Sequence, residues 1–515
     1  MSRSQVPVVV VGAGPTGLAV ATLLGLYGVE CLVLERRQPV CPQPRAVHLD
    51  DEVYRILAWL GVREQFAAIS RPCLGMRLVD RELRPLAEFQ RASGAGVHGY
   101  PEANMYDQPE LEALLCANLT RFPGVTLRSR TEVTGLDQRD DGAVTVRITD
   151  RATGERDVLR AGYVLGCDGA NSRTRSWIGA AMRDLGPAQR WLVADVVTDA
   201  DLGQWEGAHQ VCDPTRAAAY MRIGPRRYRW EFQLGPGDVA DDYRDIARLS
   251  PLIAPWTGTV PAGELQLVRV AEYTFRAQVA DHWRDRRVFL LGDAAHLTPP
   301  FIGQGLGAGL RDAANLSWKL AAVLCGSLPE AVLDTYQSER KPHARALIRM
   351  AKLVGSAMTQ GGDLGNVLRR SLLPRLVLLP WLPTLAVRSE TPALRRSALV
   401  RRPRLRRGLA GSLCPNAPLD PADPRHRFDD LAQGRFALVT TERPAEALCT
   451  EVRRRGAVLV VAGPGTALHR WLRGGGARAA VVRPDGTVLC TARAAPDVCL
   501  NLPALKSHPV SPPTG

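Results

Sequence analysis

The first 35 residues alternate between apolar and polar runs in an order that predicts a strand, a tight turn, a helix and a second strand. The apolar run Val6 to Val11 predicts the first strand, and apolar residues at helical spacing predict a helix from about Pro15 to Tyr27. Glu35 then closes the second apolar run. This order is typical of a βαβ unit, so the pattern predicts an α/β fold.

The turn between the first strand and the helix carries Gly12, Gly14 and Gly17. In such a unit the three glycines allow the tight turn, the approach of a pyrophosphate to the backbone, and the packing of helix on strand. Glu35 follows Gly17 by 18 residues, where a carboxylate can bind ribose hydroxyls. The motif predicts a dinucleotide site and leaves open whether it takes NAD(P) or the ADP half of FAD.

Arg36 and Arg37 follow this carboxylate and allow two interpretations. They can grip the 2′-phosphate of NADP, or they can be surface residues of an arginine-rich chain. The net charge of +14 comes almost wholly from arginine, since the chain contains only four lysines, so the second interpretation is favoured.

Two later strand-like runs end in an aspartate beside a glycine. They are "YVLGCDGANSRTR", from Tyr163 to Arg175, and "LLGDAAHLTPPFIGQG", from Leu290 to Gly305. Ligands bind at the carboxyl ends of strands in open α/β sheets, so Asp293 is placed to hold a polyol such as a ribityl chain. Glycines before the following helix let a flat ring lie on bare backbone, and the helix N-terminus favours negative charge.

Composition limits the remaining classes of protein. No run of about 18 uninterrupted apolar residues occurs, and the N-terminus lacks the pattern of a signal peptide, which predicts a cytoplasmic protein without membrane insertion. Eleven scattered cysteines show no metal-ligand spacing, so no metal is expected. The seven arginines between Arg395 and Arg407 are interpreted as a solvated linker, and no nucleic-acid partner is expected.

Three motifs together, "GAGPTG", "CDGANSRTR" and "GDAAHLTPPFIGQG", resemble the fingerprints of single-component FAD-dependent aromatic hydroxylases, the family of para-hydroxybenzoate and phenol hydroxylases. The stretches "PRAVHLDDE", "CDPTRAAAY", "RWEF" and "LDTYQSERKPHA" make 3-(3-hydroxyphenyl)propionate hydroxylase the most similar member. The resemblance spans about residues 6 to 350.

The resemblance implies a Rossmann-like FAD-binding domain of the glutathione-reductase type, interleaved with a mostly β substrate domain. A C-terminal thioredoxin-like α/β domain without redox cysteines is expected to follow. The predicted segments are 1–75, 101–183 and 281–350 for FAD binding, 76–100 and 184–280 for the substrate domain, 351–408 for a helical piece and the arginine-rich linker, and 409–515 for the tail domain.

The resemblance also assigns residues to the site. His48, suited to taking the proton of a phenol, and Pro300, bordering the reactive ring, are expected to be catalytic. The expected cofactor-binding residues are Gly12, Gly14, Gly17, Glu35, Arg36, Arg45, Gln108, Asp168, Asp293, Pro300, Gly303, Gly305 and Leu306. A structural role remains open for His48. His296 is predicted to pin its loop by a hydrogen bond, and His343 to lie on a helix surface.

The substrate is expected under a β-hairpin, "AAAYMRIGPRRYRWEFQL", with a turn at Gly224-Pro225. Tyr220, Arg222 and Trp230 are predicted to contact it, and plain sheet core is the alternative for these aromatic residues.

The implied reaction uses tightly bound FAD, transient NAD(P)H and O2, and hydroxylates a phenolic ring through a flavin C(4a)-hydroperoxide. A small phenolic acid is the preferred substrate, and an aromatic polyketide or other natural product is the alternative, which leaves catabolism and antibiotic biosynthesis both open. A dehydrogenase would leave the third motif unexplained, and no WxWxIP stretch of a flavin halogenase occurs. A non-catalytic flavoprotein and a homodimer also remain open.

Overall fold

The computed structural model describes residues 5–38, 46–139, 142–213, 215–359, 391–402, 408–420 and 422–504. Its first layer is a mixed sheet built around the strand Val6–Val11, which has parallel partners on both sides. Val8, Val9 and Val10 are fully buried there, as expected for a strand covered on both faces. In spatial order the described strands of this sheet are Arg284–Asp285, Val288–Leu290, Arg156–Gly166, Val6–Val11, Cys31–Leu34 and Val125–Arg128.

An antiparallel pair, Thr131–Gln138 and Val144–Asp150, extends this sheet from the strand Arg156–Gly166. The helices Pro15–Leu26 and Gly305–Leu324 pack on each other beside the sheet. The remaining helices before residue 360 are Asp51–Trp59, Arg63–Ile69, Gln108–Asn118, Arg173–Trp177, Ile246–Thr257 and Asp334–Thr359, with 3-10 turns at Leu119–Arg121, Ala240–Arg244, Ala262–Glu264, Gly292–Ala294, Pro300–Ile302 and Glu330–Leu333.

A second sheet, here called the roof sheet, takes its strands from two separate stretches of the chain, within residues 75–90 and 189–275. The predicted hairpin around Gly224-Pro225 is confirmed as the pair Ala218–Arg222 and Arg227–Gln233. In spatial order the described strands of the roof sheet are Gln266–Phe275, Gln189–Val197, Arg227–Gln233, Ala218–Arg222, Ala208–Val211, Gly75–Val79 and Pro85–Gln90.

Two small sheets connect these layers. Each is given in spatial order: Met182–Asp184, Gln278–Ala280 and His296–Leu297 form one, and His48–Asp50, Ala103–Tyr106 and Ser70–Pro72 form the other.

The tail begins with a two-stranded ribbon, Pro418–Asp420 and Asp423–Arg427. It continues into a sheet with the spatial order Val458–Val461, Ala437–Thr440, Ala479–Val482 and Val488–Ala492. The first two strands pair in parallel and the others antiparallel, the arrangement of a thioredoxin-like fold. Its helices are Phe428–Ala432, Glu446–Arg454, Ala467–Gly474 and Ala495–Cys499.

The tail packs against the central helix Gly305–Leu324 of the first layer. Trp318 meets Phe436 edge to face, with ring centroids 5.5 Å apart. Lys319 lies 2.8 Å from Glu339, which also pairs with Arg483 of the tail at 3.0 Å, and all three side chains are fully buried. A shared apolar core and a buried ion network therefore join tail and body.

Several sequence predictions fall outside the described residues: Arg45, residues 360–390 of the predicted helical piece, and residues 403–407 of the arginine run. Within the described part of the chain, no helix is long and apolar enough to cross a membrane.

Candidate functional site

A cavity of about 1360 Å³ extends from the glycine turn to the roof sheet. It exceeds the ~300 to 1,000 Å³ typical of a single small-ligand site, so it suits a dinucleotide together with a second molecule. The predicted cofactor residues in its wall are Gly12, Gly14, Glu35, Arg36, Gln108, Asp168, Asp293, Pro300, Gly303, Gly305 and Leu306, and His48 joins them.

The three glycines of the turn have different surroundings. Gly12 has φ +101°, and a Cβ there would lie 2.6 Å from the carbonyl oxygen of Cys167. A Cβ on Gly17 would collide with the carbonyl oxygen of Gly12, so Gly17 serves packing and does not line the cavity. Gly14 faces open space and precedes the helix Pro15–Leu26, whose free N-terminal amides favour an anion.

Two of the predicted carboxylates shape the backbone around this turn. Glu35 accepts hydrogen bonds of 2.9 Å from the amides of Ala13 and Arg37, which fixes its side chain at the end of the second strand. Asp168 accepts hydrogen bonds from Ser172 Oγ at 2.5 Å and from the amide of Thr174 at 2.9 Å. Both remain in the cavity wall, so each can also face a ligand.

The third motif is held by a buried aspartate on the central helix. Asp312 accepts the amide of Gly292 at 3.1 Å, and its other oxygen accepts Nε of Arg340 at 2.8 Å. His296 Nε2 lies 2.7 Å from Asp312, which confirms the predicted pinning role of that histidine. Burial alone would raise the pKa of Asp312, but His296 and Arg340 hold it below its ordinary value.

This anchoring places the neighbouring Asp293 in a 3-10 turn, Gly292–Ala294, at the carboxyl end of the strand Val288–Leu290. Asp293 is half-buried and lines the cavity. Arg175 of the second motif donates to the carbonyl oxygen of Ala294 at 3.1 Å, so two of the three sequence motifs are joined directly.

The glycine loop before the central helix has a brace that the sequence analysis missed. Gln304 donates to Asp50 at 2.8 Å and accepts from Arg311 at 2.8 Å. Arg311 also binds Asp50 at 2.6 Å and Glu52 at 2.9 Å, and it is almost fully buried. The available signal in the sequence was Arg311, which follows Gln304 by seven residues, about two helical turns.

His48 lies against this loop. A Cβ on Gly303, which has φ +64°, would come within 2.5 Å of His48 Nδ1, so the glycine permits the close approach. Burial lowers the pKa of His48 to about 4, although the nearby Asp50 acts in the opposite direction. Its Nδ1 is buried without a hydrogen-bond partner among the described residues. At neutral pH the imidazole is therefore uncharged, and its unprotonated ring nitrogen can accept a hydrogen bond from a ligand.

Gln108 and Arg36 occupy different parts of the wall. Gln108 accepts the amide of Ala46 at 2.6 Å and donates to Glu112 at 2.6 Å, which positions the segment leading to His48. Arg36 is exposed at the rim.

His343 corrects a sequence prediction. It is buried rather than on a helix surface, with Nδ1 2.9 Å from Arg340 Nη1. Arg340 in turn binds Asp312, so the helix face that carries His343 packs against the central helix.

The structure does not bring the three predicted substrate residues to the cavity wall. Tyr220 and Trp230 point to the outer face of the roof sheet, where they pack with Trp256 of the helix Ile246–Thr257. Arg222 pairs with Glu206 at 2.7 Å. The physical reason is that successive side chains of a strand point to opposite faces of the sheet. In this hairpin the odd-numbered residues Ala219, Met221 and Glu231 face the cavity, so the even-numbered residues face away from it.

Comparison with known proteins identifies the family to which the chain belongs. The FAD binding domain family matches residues 5–351. The chain belongs to this family of FAD-dependent aromatic hydroxylases. This confirms the predicted family, and the fold of the structural neighbours confirms the predicted α/β class.

Among curated relatives, a protein named probable NADH-specific resorcinol 4-hydroxylase from Rhodococcus jostii is 39% identical over 357 residues, which are 69% of this chain and 66% of that protein. A 3-(3-hydroxy-phenyl)propionate/3-hydroxycinnamic acid hydroxylase 2 from Burkholderia vietnamiensis is 34% identical over 442 residues, which are 85% of this chain and 80% of that protein.

Two solved structures cover nearly the whole chain. The flavin-dependent monooxygenase PieE, in complex with FAD and substrate, is 25% identical with a TM-score of 0.79 and covers 97% of this chain and 98% of its own. Aklavinone-11 hydroxylase, with FAD and aklavinone, is 25% identical with a TM-score of 0.78 and covers 98% of this chain and 100% of its own.

The residues present fit FAD. Gly14 leaves open space at a helix N-terminus for the pyrophosphate, and Glu35 and Asp293 offer carboxylates to sugar and polyol hydroxyls. A Cβ on Gly305 would meet nothing closer than 3.9 Å, so bare backbone is available to a flat ring. Bound FAD supplies the electron transfer and oxygen activation that amino-acid side chains lack.

Proposed function

We propose that the protein hydroxylates a small phenolic compound, consuming O2 and a reduced nicotinamide. The observation that carries this proposal is the continuity of the cavity from the Gly303–Gly305 loop to the roof sheet, where Trp191, Phe275 and Phe301 form an aromatic wall. In the balanced reaction one ring C–H becomes C–OH, the second oxygen atom leaves as water, and NAD(P)H is oxidised to NAD(P)⁺ with uptake of one proton.

The chain's own share is to bind the cofactor, to orient the substrate ring and to polarise its hydroxyl group. We assign Glu35 to the ribose, Asp293 to the ribityl chain, and Pro300 with the following glycines to the edge of the ring. His48, uncharged and buried beside Gly303, is the group proposed to accept a hydrogen bond from the phenol's hydroxyl, which makes the ring more electron-rich.

We infer that the nicotinamide is NADH and that it binds transiently. The relative from Rhodococcus jostii is named as NADH-specific. The only later candidate for a second dinucleotide turn, Gly463-Pro464-Gly465, lacks a third glycine and a ribose-binding acid. A cytoplasmic location agrees with this use of NADH. That the protein forms a homodimer remains a prediction.

A small phenol is preferred over an aromatic polyketide as substrate. The relatives at 34% and 39% identity carry the names of hydroxylases of single-ring phenols, whereas the two solved structures are 25% identical. The experiment is a panel of resorcinol, 3-(3-hydroxyphenyl)propionate and a tricyclic or tetracyclic quinone, scored by NADH oxidation and product mass. A gain of one oxygen atom on a single-ring phenol is expected, and turnover of the polycyclic compound alone would overturn the preference.

Asp293→Ala tests the cofactor site directly. Loss of the carboxylate removes hydrogen bonds to the polyol, and we expect the FAD dissociation constant to rise at least tenfold. Titration of apoprotein with FAD, followed by flavin fluorescence, measures it. Asp199→Ala is the matched control, because Asp199 is exposed and pairs only with Arg226 in the described structure. Equal FAD affinity of the two variants would contradict the assignment.

A further inference from the structure

Four residues on adjacent strands form one row across the roof sheet. Val193 lies opposite Glu231, Glu231 opposite Ala219, and Ala219 opposite Gln210. All four line the cavity. Two polar side chains therefore stand on the cavity side of the sheet with one small residue between them.

Glu231 presents a carboxylate to the cavity. Its side chain has no hydrogen bond or ion pair with another residue in the described part of the chain, and Arg229, whose charge acts on it, already binds Asp195 at 2.7 and 3.0 Å. Burial raises the pKa of Glu231 above its ordinary value. A carboxylate in this setting gains from a hydrogen-bond donor that enters the cavity.

Gln210 provides an independent observation. Its side chain is 7% exposed, and its Oε1 is buried without a hydrogen-bond partner in the described structure. An unsatisfied buried acceptor costs about 1 to 3 kcal/mol, so a ligand that brings a donor to this atom in the cavity wall gains affinity.

The distance between the two groups limits what can satisfy both. Residues two strands apart have Cα atoms separated by about 10 Å, twice the strand spacing of ~4.8 Å, and side chains that stand perpendicular to the sheet keep about this separation. A hydrogen bond of ~2.8 Å at each end leaves a gap comparable to one substituted benzene ring. The ring would lie over the methyl group of Ala219, with one polar substituent directed at each acceptor.

We propose that Glu231 and Gln210 are the specificity-determining pair for the substrate, each accepting a hydrogen bond from one hydroxyl group of a dihydroxybenzene. This rests on the proposed function, because it assumes that the second occupant of the cavity is a phenol. It makes the preferred substrate a ring with two donors rather than one.

The test measures binding separately from turnover. Resorcinol and phenol are titrated into the oxidised, FAD-loaded protein without NADH, and the flavin absorbance change gives each dissociation constant. The wild type is expected to bind resorcinol at least tenfold more tightly than phenol. Glu231→Leu and Gln210→Met should each reduce this preference to less than threefold, and Glu231→Gln, which keeps an acceptor, should restore part of it.

Glu272→Leu is the matched control, since Glu272 lies in the same sheet, on the strand Gln266–Phe275, and pairs with Arg190 at the surface. It should keep the full preference for resorcinol. Folded, FAD-containing Glu231→Leu and Gln210→Met proteins that also keep it would overturn the inference. If the wild type binds resorcinol with the expected preference but hydroxylates no phenol, the proposed function fails while the binding pair stands.

Discussion

The two faces of the roof sheet contrast in what covers their side chains. On the outer face Tyr220, Tyr228, Trp230 and Phe232 are nearly fully buried and pack around the helix Ile246–Thr257. On the cavity face the aromatic residues are joined by polar groups, and Gln210 keeps a buried acceptor without a partner in the described structure.

We infer from this contrast that the outer face serves mainly stability and the cavity face mainly ligand recognition. A face whose apolar surface is covered by the protein contributes mainly to folding, because burial stabilises in proportion to the area removed from water. A face whose polar side chains border an open cavity gains further contacts when a ligand is present. Substitutions on the two faces should therefore change different measurements.

Trp230→Ala should have the largest effect on stability. Trp230 is fully buried, and truncation of a buried tryptophan costs about 3 to 5 kcal/mol of unfolding free energy through lost contacts and an unfilled cavity. Urea unfolding of the FAD-loaded protein, followed by circular dichroism, measures this. Resorcinol affinity of the fraction that remains folded should stay within threefold of wild type, and a selective loss of that affinity would place Trp230 in the substrate site.

Phe275→Ala should have an intermediate effect on stability and a clear effect on the reaction. Phe275 is half-buried, so its loss should cost about 1 to 2 kcal/mol. It stacks on Trp191 at 5.4 Å and meets Phe301 edge to face, so its removal opens the aromatic wall to water.

Water in this space should lower the fraction of NADH oxidation that yields hydroxylated product. Parallel assays of NADH and product determine that fraction. An unchanged ratio in a folded Phe275→Ala protein would show that this ring is outside the reacting space.

Tyr220→Phe should have the smallest effect. The ring remains packed against Trp256, and the substitution removes only a hydroxyl group on the outer face. We expect unfolding free energy within about 1 kcal/mol of wild type. The dissociation constants of resorcinol and phenol should not change. A tenfold weaker affinity for resorcinol would reverse the assignment of the two faces.

That many of the predicted residues line one cavity was predictable from the sequence, because these residues act locally. Gly12 and Gly17 are required by backbone contacts within one strand, turn and helix, and Asp293 follows directly from the end of a strand. Such short-range constraints leave a readable spacing in the chain. The first strand was predicted at its observed bounds, Val6–Val11, for the same reason.

The side of the roof sheet that lines the cavity was not predictable in this way. Alternation along "RYRWEF" reveals two faces but is symmetric between them, so nothing local decides which face meets the cavity. The brace formed by Asp50, Gln304 and Arg311 joins positions more than 250 residues apart. His343 was likewise predicted to lie on a helix surface because its neighbours in "ERKPHA" are polar, but the fold buries it.

The sequence by itself determined the α/β class, the dinucleotide turn and the order of the three motifs, because each depends on neighbours within about 20 residues. Tertiary structure alone decided that Glu231 and Gln210 face the same cavity while Tyr220 and Trp230 face away from it. The reason is that sheet register and the side on which a helix packs are properties of long-range pairing, which side-chain alternation along a single strand does not encode.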